Sequence, residues 1–281
     1  MLKDELRKCR DRLAAAGLEA PDFEAQCLVE HVTGYSRTAQ IIRGGEALSS
    51  AQTKRLDELT EKRLTHYPLQ YLLGSWSFMG FELEVGQGVL IPRDDTEVAV
   101  GLCLDFLKTR PQSRVIDLCS GSGAIAIALA CLSGAEVTAV ELSDKAFYFL
   151  EKNINSNKAA VKAVKGDVLS CHADYEDSSY DLIVSNPPYI RTDELPTLQP
   201  EVRFEPKLAL DGGESGYDFY EAIVKNWSRK LKPNGALVFE LGEGQAAYVS
   251  ELMRAQGFAD IRTALDLGGE QRAIIGTMLD K

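Results

Sequence analysis

The sequence predicts an α/β protein: a mostly parallel sheet with one antiparallel strand, preceded by a small helical domain and a short β-hairpin. Two patterns lead to this prediction. Across residues 1–74, apolar side chains recur at steps of three and four, the spacing of amphipathic helices. After residue 92, short apolar runs alternate with helix-like segments, as in βαβ units with a parallel sheet. We therefore expect a helical domain at 1–74, a hairpin linker at 75–91 and a larger domain at 92–281.

The helical domain is predicted to contain three helices. The first spans residues 2–16, and the second begins at Pro21, whose missing N–H costs nothing in a first turn, and ends near residue 34. The third begins after Ser49, which has the capping-box spacing with Gln52 and so fixes the start of the helix.

The strands of the larger domain are predicted from short apolar runs. A hairpin is expected first, with strands at 78–83 and 85–90, where residues alternate and glycine is frequent. The last two runs flank a Gly-Gly turn at 268–269, so one strand should be antiparallel. The strand-like runs are residues 115–118, 137–140, 182–184, 237–241, 261–267 and 273–278, and the helix-like segments are 124–131, 145–153, 217–231 and 245–256.

Composition and charge limit the functional class. The 281 residues are 45% hydrophobic and 26% charged, which is typical of a soluble globular protein, and no apolar run approaches a membrane span. Residues 1–74 carry 11 basic and 11 acidic side chains, whereas residues 75–281 carry 20 and 31 and so hold the whole net charge of −11. Because an acidic body repels phosphate, we expect no direct nucleic-acid partner. Because no apolar run is long enough to span a bilayer, we expect no membrane partner. We expect a cytoplasmic monomer.

Cysteines and histidines give no metal-site pattern. The six cysteines include no Cys-x-x-Cys pair, and the three histidines lack ligand spacing, so no metal is expected.

A glycine-rich loop is the first candidate binding element. The run at 115–118 leads into Cys119, Ser120, Gly121, Ser122 and Gly123, and a helix follows at once. Small residues there let a ligand approach the backbone, and the first N–H groups of the helix are free to donate. The Gly-x-Gly-x-x-Ala spacing also fits a dinucleotide site, so this loop alone does not separate NAD from S-adenosylmethionine.

Acidic residues end the next two strands. Glu141 lies 20 residues after Gly121, where an acid can accept hydrogen bonds from both ribose hydroxyls. Asp167, followed by Val168, comes after the third strand and is a candidate neighbour of an adenine. A surface acid at Glu141 and a helix cap at Asp167 are the alternatives.

The most specific segment is Asn186-Pro187-Pro188-Tyr189, which follows an apolar strand. The two prolines hold the backbone extended and remove its donors. The Asn side-chain oxygen and the carbonyl groups are therefore left as acceptors. Such a set suits a planar –NH2 group, and Tyr189 supplies a stacking face. A dehydrogenase does not need this arrangement.

These residues resemble those of amino methyltransferases that use S-adenosylmethionine. That group includes adenine-N6 nucleic-acid enzymes and the HemK/PrmC-type enzymes, which methylate a glutamine amide in peptide chain release factors. Four flanking segments resemble signatures of the HemK/PrmC-type family, and the helical domain resembles its substrate-recognition domain in length. The segments are residues 68–74, 91–97, 205–213 and 266–272.

The resemblance implies a Rossmann-like methyltransferase domain with S-adenosyl-L-methionine as cofactor. It implies methyl transfer to the side-chain amide nitrogen (N5) of a glutamine in the GGQ-type loop of release factors, a step of protein methylation that serves translation termination. The catalytic residues it implies are Asn186, Pro187, Pro188 and Tyr189. The cofactor-binding residues it implies are Cys119, Ser120, Gly121, Ser122, Gly123, Glu141, Asp167, Val168 and Asn186.

Three residues depart from the family pattern: Cys119 replaces a common glycine, Asp94 a common proline, and Val168 a position that can carry an aromatic ring. Three other functions remain open on the residues alone. A nucleic-acid adenine methyltransferase would use the same four residues but needs a basic cleft for a flipped base. A nicotinamide dehydrogenase leaves the Asn-Pro-Pro-Tyr segment unexplained. A binding module would hold the cofactor without turnover.

Overall fold

A computed structural model of the chain describes residues 1–279. These residues form two compact units. The helical unit is Met1–Ser75 together with Gln199–Phe204, and the sheet unit is Trp76–Leu198 together with the chain from Glu205 onward. The functional division into 1–74, 75–91 and 92–281 stays a prediction.

The helical unit contains the three predicted helices and two shorter ones. The capping box is present: Ser49 Oγ accepts from the Gln52 amide at 3.2 Å, and Gln52 Oε1 accepts from the Ser49 amide at 3.0 Å. The two additional helices have six and five residues, too short to show a helical period in the sequence. The helices are α1 (Leu2–Ala15), α2 (Pro21–Thr33), α3 (Arg37–Ile42), α4 (Ser50–Leu64) and α5 (Leu69–Leu73).

A buried ion cluster joins three parts of the helical unit. Arg63 of α4 is only 2% exposed, and its guanidinium binds Glu24 of α2 through two bonds of 2.6 and 2.9 Å. The same guanidinium binds Glu201 at 2.5 Å. A fork of fixed donors suits two carboxylates at once. The cluster therefore fastens the segment Gln199–Phe204 into the helical unit.

The hairpin lies earlier in the chain than predicted. Its strands are β1 (Ser75–Phe78) and β2 (Phe81–Glu84), and residues 85–90 form no strand. The prediction was wrong because it assigned residues 79–80, which form the turn, to the first strand. Met79 and Gly80 both have positive φ, 48° and 83°, the conformation of a two-residue hairpin turn.

The main sheet has seven strands in the order β5-β4-β3-β6-β7-β9-β8. All neighbours are parallel except β9, which is antiparallel to both β7 and β8, so the predicted fold class is confirmed. The strands are β3 (Arg114–Leu118), β4 (Glu136–Glu141), β5 (Val161–Lys165), β6 (Tyr180–Ser185), β7 (Leu231–Glu240), β8 (Phe258–Leu265) and β9 (Gln271–Met278).

Helices cover both faces of this sheet. Val115 packs in the apolar cluster with α6 and α7, whereas its neighbour Ile116 packs in the opposite cluster with α9 and α10. The period of two along a strand explains why both faces are apolar. The helix α6 was not among the predicted helices, and α9 ends four residues earlier than predicted because β7 begins at Leu231. The helices are α6 (Thr96–Leu107), α7 (Ala124–Ser133), α8 (Asp144–Ser156), α9 (Asp218–Trp227) and α10 (Ala246–Ala255).

We predict that Arg63→Ala lowers the free energy of unfolding by about 3–5 kcal/mol, because it leaves buried Glu24 without its cation. Arg55→Ala is the matched control. Arg55 pairs with Glu58 on the same helix but is 54% exposed, so its loss should cost less than ~1 kcal/mol. Urea denaturation followed by circular dichroism measures both. Equal losses from the two variants would contradict the role given to the buried cluster.

Candidate active site

A pocket lies within the sheet unit at the carboxyl ends of four parallel strands. Its volume is about 630 Å³ with the space at its open mouth included. Because β4 and β6 pair with opposite edges of β3, the segments that follow these three strands converge there. The lining residues are Gly88, Leu90, Cys119, Gly121, Glu141, Leu142, Ser143, Ala146, Gly166, Asp167, Val168, Asn186, Pro188, Pro206, Leu208, Ala209 and Phe219.

Gly121 opens the glycine loop to the pocket. Its φ is +55°, and no atom lies within 4 Å of the Cβ that a larger residue would carry. Gly123 has another role, because a Cβ there would lie 2.7 Å from Cδ1 of Leu150 on α8. The first glycine therefore leaves room in the pocket, and the second lets a helix pack closely.

The two loop serines are buried and do not line the pocket. The Ser120 hydroxyl donates to the Asp117 carbonyl at 2.8 Å, and the Ser122 carbonyl accepts from Asn153 Nδ2 at 2.9 Å. Of the five residues predicted in this loop, Cys119 and Gly121 reach the pocket surface.

Cys119 occupies a backbone conformation that favours glycine. Its φ is +62°, which costs an L-residue roughly 1–2 kcal/mol. Burial raises the pKa of its thiol well above the ordinary value, so the thiol stays protonated and is a poor nucleophile. Cys119 therefore introduces backbone strain at a position where the family pattern has glycine, and it leaves the pocket intact.

Glu141, the last residue of β4, presents its carboxylate to the pocket. Its Oε2 accepts from the Gly121 amide at 2.8 Å, and its Oε1 accepts from the Ser143 amide at 2.7 Å. Burial raises the pKa of this carboxyl, while both backbone amides act to lower it. Each carboxylate oxygen can accept a second hydrogen bond, so the side chain is fixed and still able to bind a ribose diol.

Asp167 and Val168 both line the pocket after β5. Asp167 Oδ1 also accepts from the Leu169 amide at 2.9 Å. Asp167 therefore lines the pocket and also caps the local backbone, so the two predicted alternatives do not exclude each other. Val168 is buried, and its carbonyl accepts from Trp227 Nε1 at 2.8 Å. An aliphatic side chain thus forms the wall where the family pattern allows an aromatic ring.

Asn186 and Pro188 line the pocket on the side of β6. The Asn186 Nδ2 group donates to Thr96 Oγ1 at 3.5 Å, which turns Oδ1 away from Thr96. Within residues 1–279, no donor bonds Asn186 Oδ1 or the Pro187 carbonyl. Asn186 Oδ1, on a pocket-lining residue, is therefore available to a ligand, and the carbonyl of the next residue, the buried Pro187, is a second acceptor without a donor.

Glycines enclose Tyr189. A Cβ on Gly212 would lie 2.7 Å from the Cα of Tyr189, and one on Gly242 would lie 2.9 Å from its Cδ2. Gln245 Nε2 donates to the Tyr189 carbonyl at 3.1 Å, and the Gly212 amide donates to the Ile190 carbonyl at 2.8 Å. These close contacts hold the chain that leaves the Asn-Pro-Pro-Tyr segment.

Three of the four signature segments are joined by ion pairs and hydrogen bonds. Glu205 binds the Ile91 amide at 2.9 Å and forms an ion pair with Arg93. Arg272 binds Asp95 at 3.3 Å, so the segment at 266–272 meets the segment at 91–97. Asp94 is exposed, which explains why its departure from the family pattern disturbs none of these contacts.

Sequence reasoning missed two fully buried carboxyls at strand ends. Burial raises the pKa of Asp117 to about 8, and neither of its oxygens makes a hydrogen bond of normal geometry with the described residues. Burial likewise raises the pKa of Glu240, on β7, to about 7. The signal that could have found them is an acid inside or ending an otherwise apolar strand.

The pocket fits S-adenosyl-L-methionine. The open backbone at Gly121 admits a ligand, Glu141 can take a ribose diol, and the walls between them are apolar. An adenosine needs the same combination of a diol acceptor and apolar faces. No helix among residues 1–279 has the length and apolarity to span a bilayer, and no group of three or more His, Cys, Asp or Glu side chains there could hold a metal ion.

We predict that Gly121→Val reduces the affinity for S-adenosyl-L-methionine by about tenfold or more, since the branched side chain would occupy the pocket. Gly134→Val is the matched control. Gly134 has a similar φ of +70° and equally open surroundings but lies outside the pocket, at the end of α7. Isothermal calorimetry measures both affinities. Normal binding by the Gly121→Val protein would exclude the proposed contact.

We also predict that Cys119→Gly is more stable than Cys119→Ala by about 1 kcal/mol, because only glycine adopts positive φ without strain. Cys131 is the control, since it lies in α7 and alanine should there exceed glycine by about 1 kcal/mol. Thermal and urea unfolding of the four proteins measure the differences. The same order at both positions would show that position 119 is unstrained.

Residues 4–74 match the family described as "PrmC N-terminal domain", and residues 90–199 match "Methyltransferase small domain". A release factor glutamine methyltransferase of Deinococcus radiodurans is 37% identical over 97% of this chain and 97% of its own length. One of Geobacter sulfurreducens is 39% identical over 95% and 93%.

Solved structures share the fold. A methyltransferase from Pyrococcus furiosus has a TM-score of 0.54 at 19% identity, covering 73% of this chain and 92% of its own. The catalytic domain of hMettl16, in complex with MAT2A 3′UTR hairpin 1, has a TM-score of 0.60 at 16% identity, covering 83% of this chain and 84% of its own. Since its relatives in sequence exceed 30% identity over nearly its whole length, this chain belongs to the family of release factor glutamine methyltransferases.

Proposed function

We propose that this protein transfers the methyl group of S-adenosyl-L-methionine to the side-chain amide nitrogen of a glutamine in a peptide chain release factor. The observation that carries the proposal is a pair of acceptors that no donor bonds among residues 1–279: Asn186 Oδ1, on a residue that lines the pocket, and the carbonyl of the buried residue after it, Pro187. A primary amide has two N–H donors in one plane, so it matches two neighbouring acceptors. The named activity of the relatives supports the same acceptor class.

The residues of the chain act mainly by orientation. An amide nitrogen is a poor nucleophile because its lone pair is delocalised into the carbonyl. Asn186 and Pro187 accept its two N–H bonds and so hold the nitrogen facing the pocket. The cofactor supplies an electrophilic methyl group on a sulfonium. Correct placement of two reactants can lower a barrier by about 7–11 kcal/mol, so no strong base is required before attack.

Electrostatics assists the same step. Positive charge develops on the amide nitrogen as the new bond forms, and the two oxygen acceptors are already in place to stabilise it. Tyr189 is held by Gly212, Gly242 and Gln245 and flanks these acceptors. Burial raises the pKa of the Tyr189 hydroxyl, so it remains protonated and donates to Glu240 at 3.4 Å.

We place substrate selection in the helical unit. Residues 4–74 match a separate family description, and the first 74 residues carry no net charge, whereas the rest of the chain carries −11. An acidic catalytic body attracts a basic protein partner. Release factors act on RNA, so we expect them to be basic. We further infer a cytoplasmic monomer that binds neither nucleic acid nor membrane directly.

We predict that incubation with S-adenosyl-L-methionine adds one methyl group to one glutamine of a release factor, in its GGQ-type loop. Asn186→Ala should abolish most of this gain and keep most of the cofactor affinity, because it removes an acceptor for the amide. Peptide mass spectrometry locates the added methyl group, and calorimetry checks the cofactor.

The design of this assay separates the competing functions. A whole release factor should be a far better acceptor than a short peptide of its loop if the helical unit selects the substrate. Added salt should raise the KM for the whole factor more than it lowers kcat, since screening over ~8 Å weakens steering. Methylation of adenine with the release factor untouched would overturn the proposed acceptor, and binding without turnover would leave a binding module.

A further inference from the structure

Two segments without strands complete the wall of the pocket. The other lining residues follow the carboxyl ends of β3, β4, β5 and β6 or lie on helices. The first segment follows the hairpin, and the second, residues 206–209, is a single 3₁₀ turn with the residue before it. We call residues 206–209 the strap. The five lining residues that the two segments supply are Gly88, Leu90, Pro206, Leu208 and Ala209.

The segment after the hairpin is packed tightly against α8. A Cβ on Gly86 would lie 2.9 Å from Cζ of Phe149, and a Cβ on Gly88 would lie 2.8 Å from the Cβ of Lys145. Both distances are shorter than side chains normally permit, so only glycine lets the backbone come this close to the helix. The part of the wall that contains Leu90 therefore has a fixed support.

Glu205 joins the strap to this fixed segment. Its side chain is only 2% exposed. Its Oε2 accepts from the Ile91 amide at 2.9 Å, and its Oε1 pairs with Arg93. Glu205 directly precedes Pro206, and Ile91 directly follows Leu90. One buried carboxylate thus fastens together two parts of the pocket wall that lie 114 positions apart in the chain.

The other end of the strap is held by the chain that leaves the Asn-Pro-Pro-Tyr segment. The Ile190 amide donates to the Leu210 carbonyl at 2.9 Å, and the Gly212 amide donates to the Ile190 carbonyl at 2.8 Å. The strap is therefore a short turn with one anchor at each end. Leu208 lies in its middle, and this apolar side chain is 52% exposed although it lines the pocket.

We propose that Glu205 is a positioning residue for S-adenosyl-L-methionine: it holds the strap so that Leu208 packs on the bound cofactor. A wall that is ordered before binding costs a ligand less affinity than one that must be ordered on binding. Without the bonds of Glu205, the strap keeps only its anchor at Ile190. This inference goes beyond the proposed function, because it concerns the cofactor alone and holds for any methyl acceptor.

Glu205→Gln tests the anchor. A neutral amide forms no ion pair with Arg93, and its NH2 group meets another donor there. We expect the Kd for S-adenosyl-L-methionine to rise about tenfold, measured by calorimetry without acceptor. We expect kcat at saturating cofactor to stay within about twofold, because a loss of uniform binding raises KM alone.

Glu24→Gln is the matched control for this variant. Glu24 is also a buried carboxylate, 9% exposed, and pairs with Arg63 in the helical unit. Both variants should lower the melting temperature, but only Glu205→Gln should change the Kd for the cofactor. A second pair of variants removes the same ion pair from its half-exposed partner. Arg93→Gln should raise the Kd as Glu205→Gln does, whereas Arg93→Lys keeps the charge and should retain most of the affinity.

Leu208→Ser tests the contact between the strap and the cofactor. It removes an apolar side chain that bound cofactor would cover, so the Kd should rise about tenfold with little change in melting temperature. Leu132→Ser is its control, since Leu132 is 50% exposed on α7 and lies outside the pocket.

Three results would each overturn the proposal. The first is a normal Kd in Glu205→Gln, Arg93→Gln or Leu208→Ser. The second is an equal rise of the Kd in Glu24→Gln, which would show that any loss of stability weakens binding. The third is a fall in kcat with an unchanged KM for the cofactor. Because the binding assay contains no acceptor, its outcome does not depend on whether a release factor glutamine is the true substrate.

Discussion

The pairing of β3 with β4 on one edge and β6 on the other is the constraint on which this site depends. Parallel strands end at the same edge of a sheet, so the three segments that follow these strands must share one space. The glycine loop, Glu141 and Asn186 follow β3, β4 and β6 in turn. Gly121 and Asn186, 65 positions apart in the chain, thus line one pocket.

Close packing holds the Asn-Pro-Pro-Tyr segment in one conformation at the end of β6. The two prolines remove backbone donors, and Gly212 and Gly242 let neighbouring chains approach Tyr189 within distances that a Cβ would not permit. Rigidity matters for the proposed reaction, because an amide nitrogen reacts only when it is held in line with the methyl donor. The signature segment at 205–213 therefore has two parts: Gly212 packs against Tyr189, and Pro206, Leu208 and Ala209 line the pocket.

Carboxyls buried beneath the site carry a cost in stability. Burial raises the pKa of Asp117 to about 8 and of Glu240 to about 7, so the folded chain binds these protons more tightly than the unfolded chain. The stabilisation of the folded state that comes from each raised pKa is fully present below the ordinary carboxyl pKa. It is lost as pH rises through the raised pKa, because the buried carboxyl must then ionise. The fold retains both acids at the strand ends that surround the candidate site, and such perturbed groups cluster at functional sites.

The sequence by itself determined the fold class, the antiparallel strand and the capped helix after Ser49, because each depends on local period, turn chemistry or a capping pair. It also marked Asn186-Pro187-Pro188-Tyr189 as the candidate acceptor segment, through its rigid Pro-Pro dipeptide. Only the tertiary structure placed the hairpin turn at Met79, the strained φ of Cys119 and the contact of Asn186 with Thr96, 90 positions away in the chain. These depend on which strand ends become neighbours and how closely they pack. Side chains that meet across a sheet leave no regular spacing in the sequence.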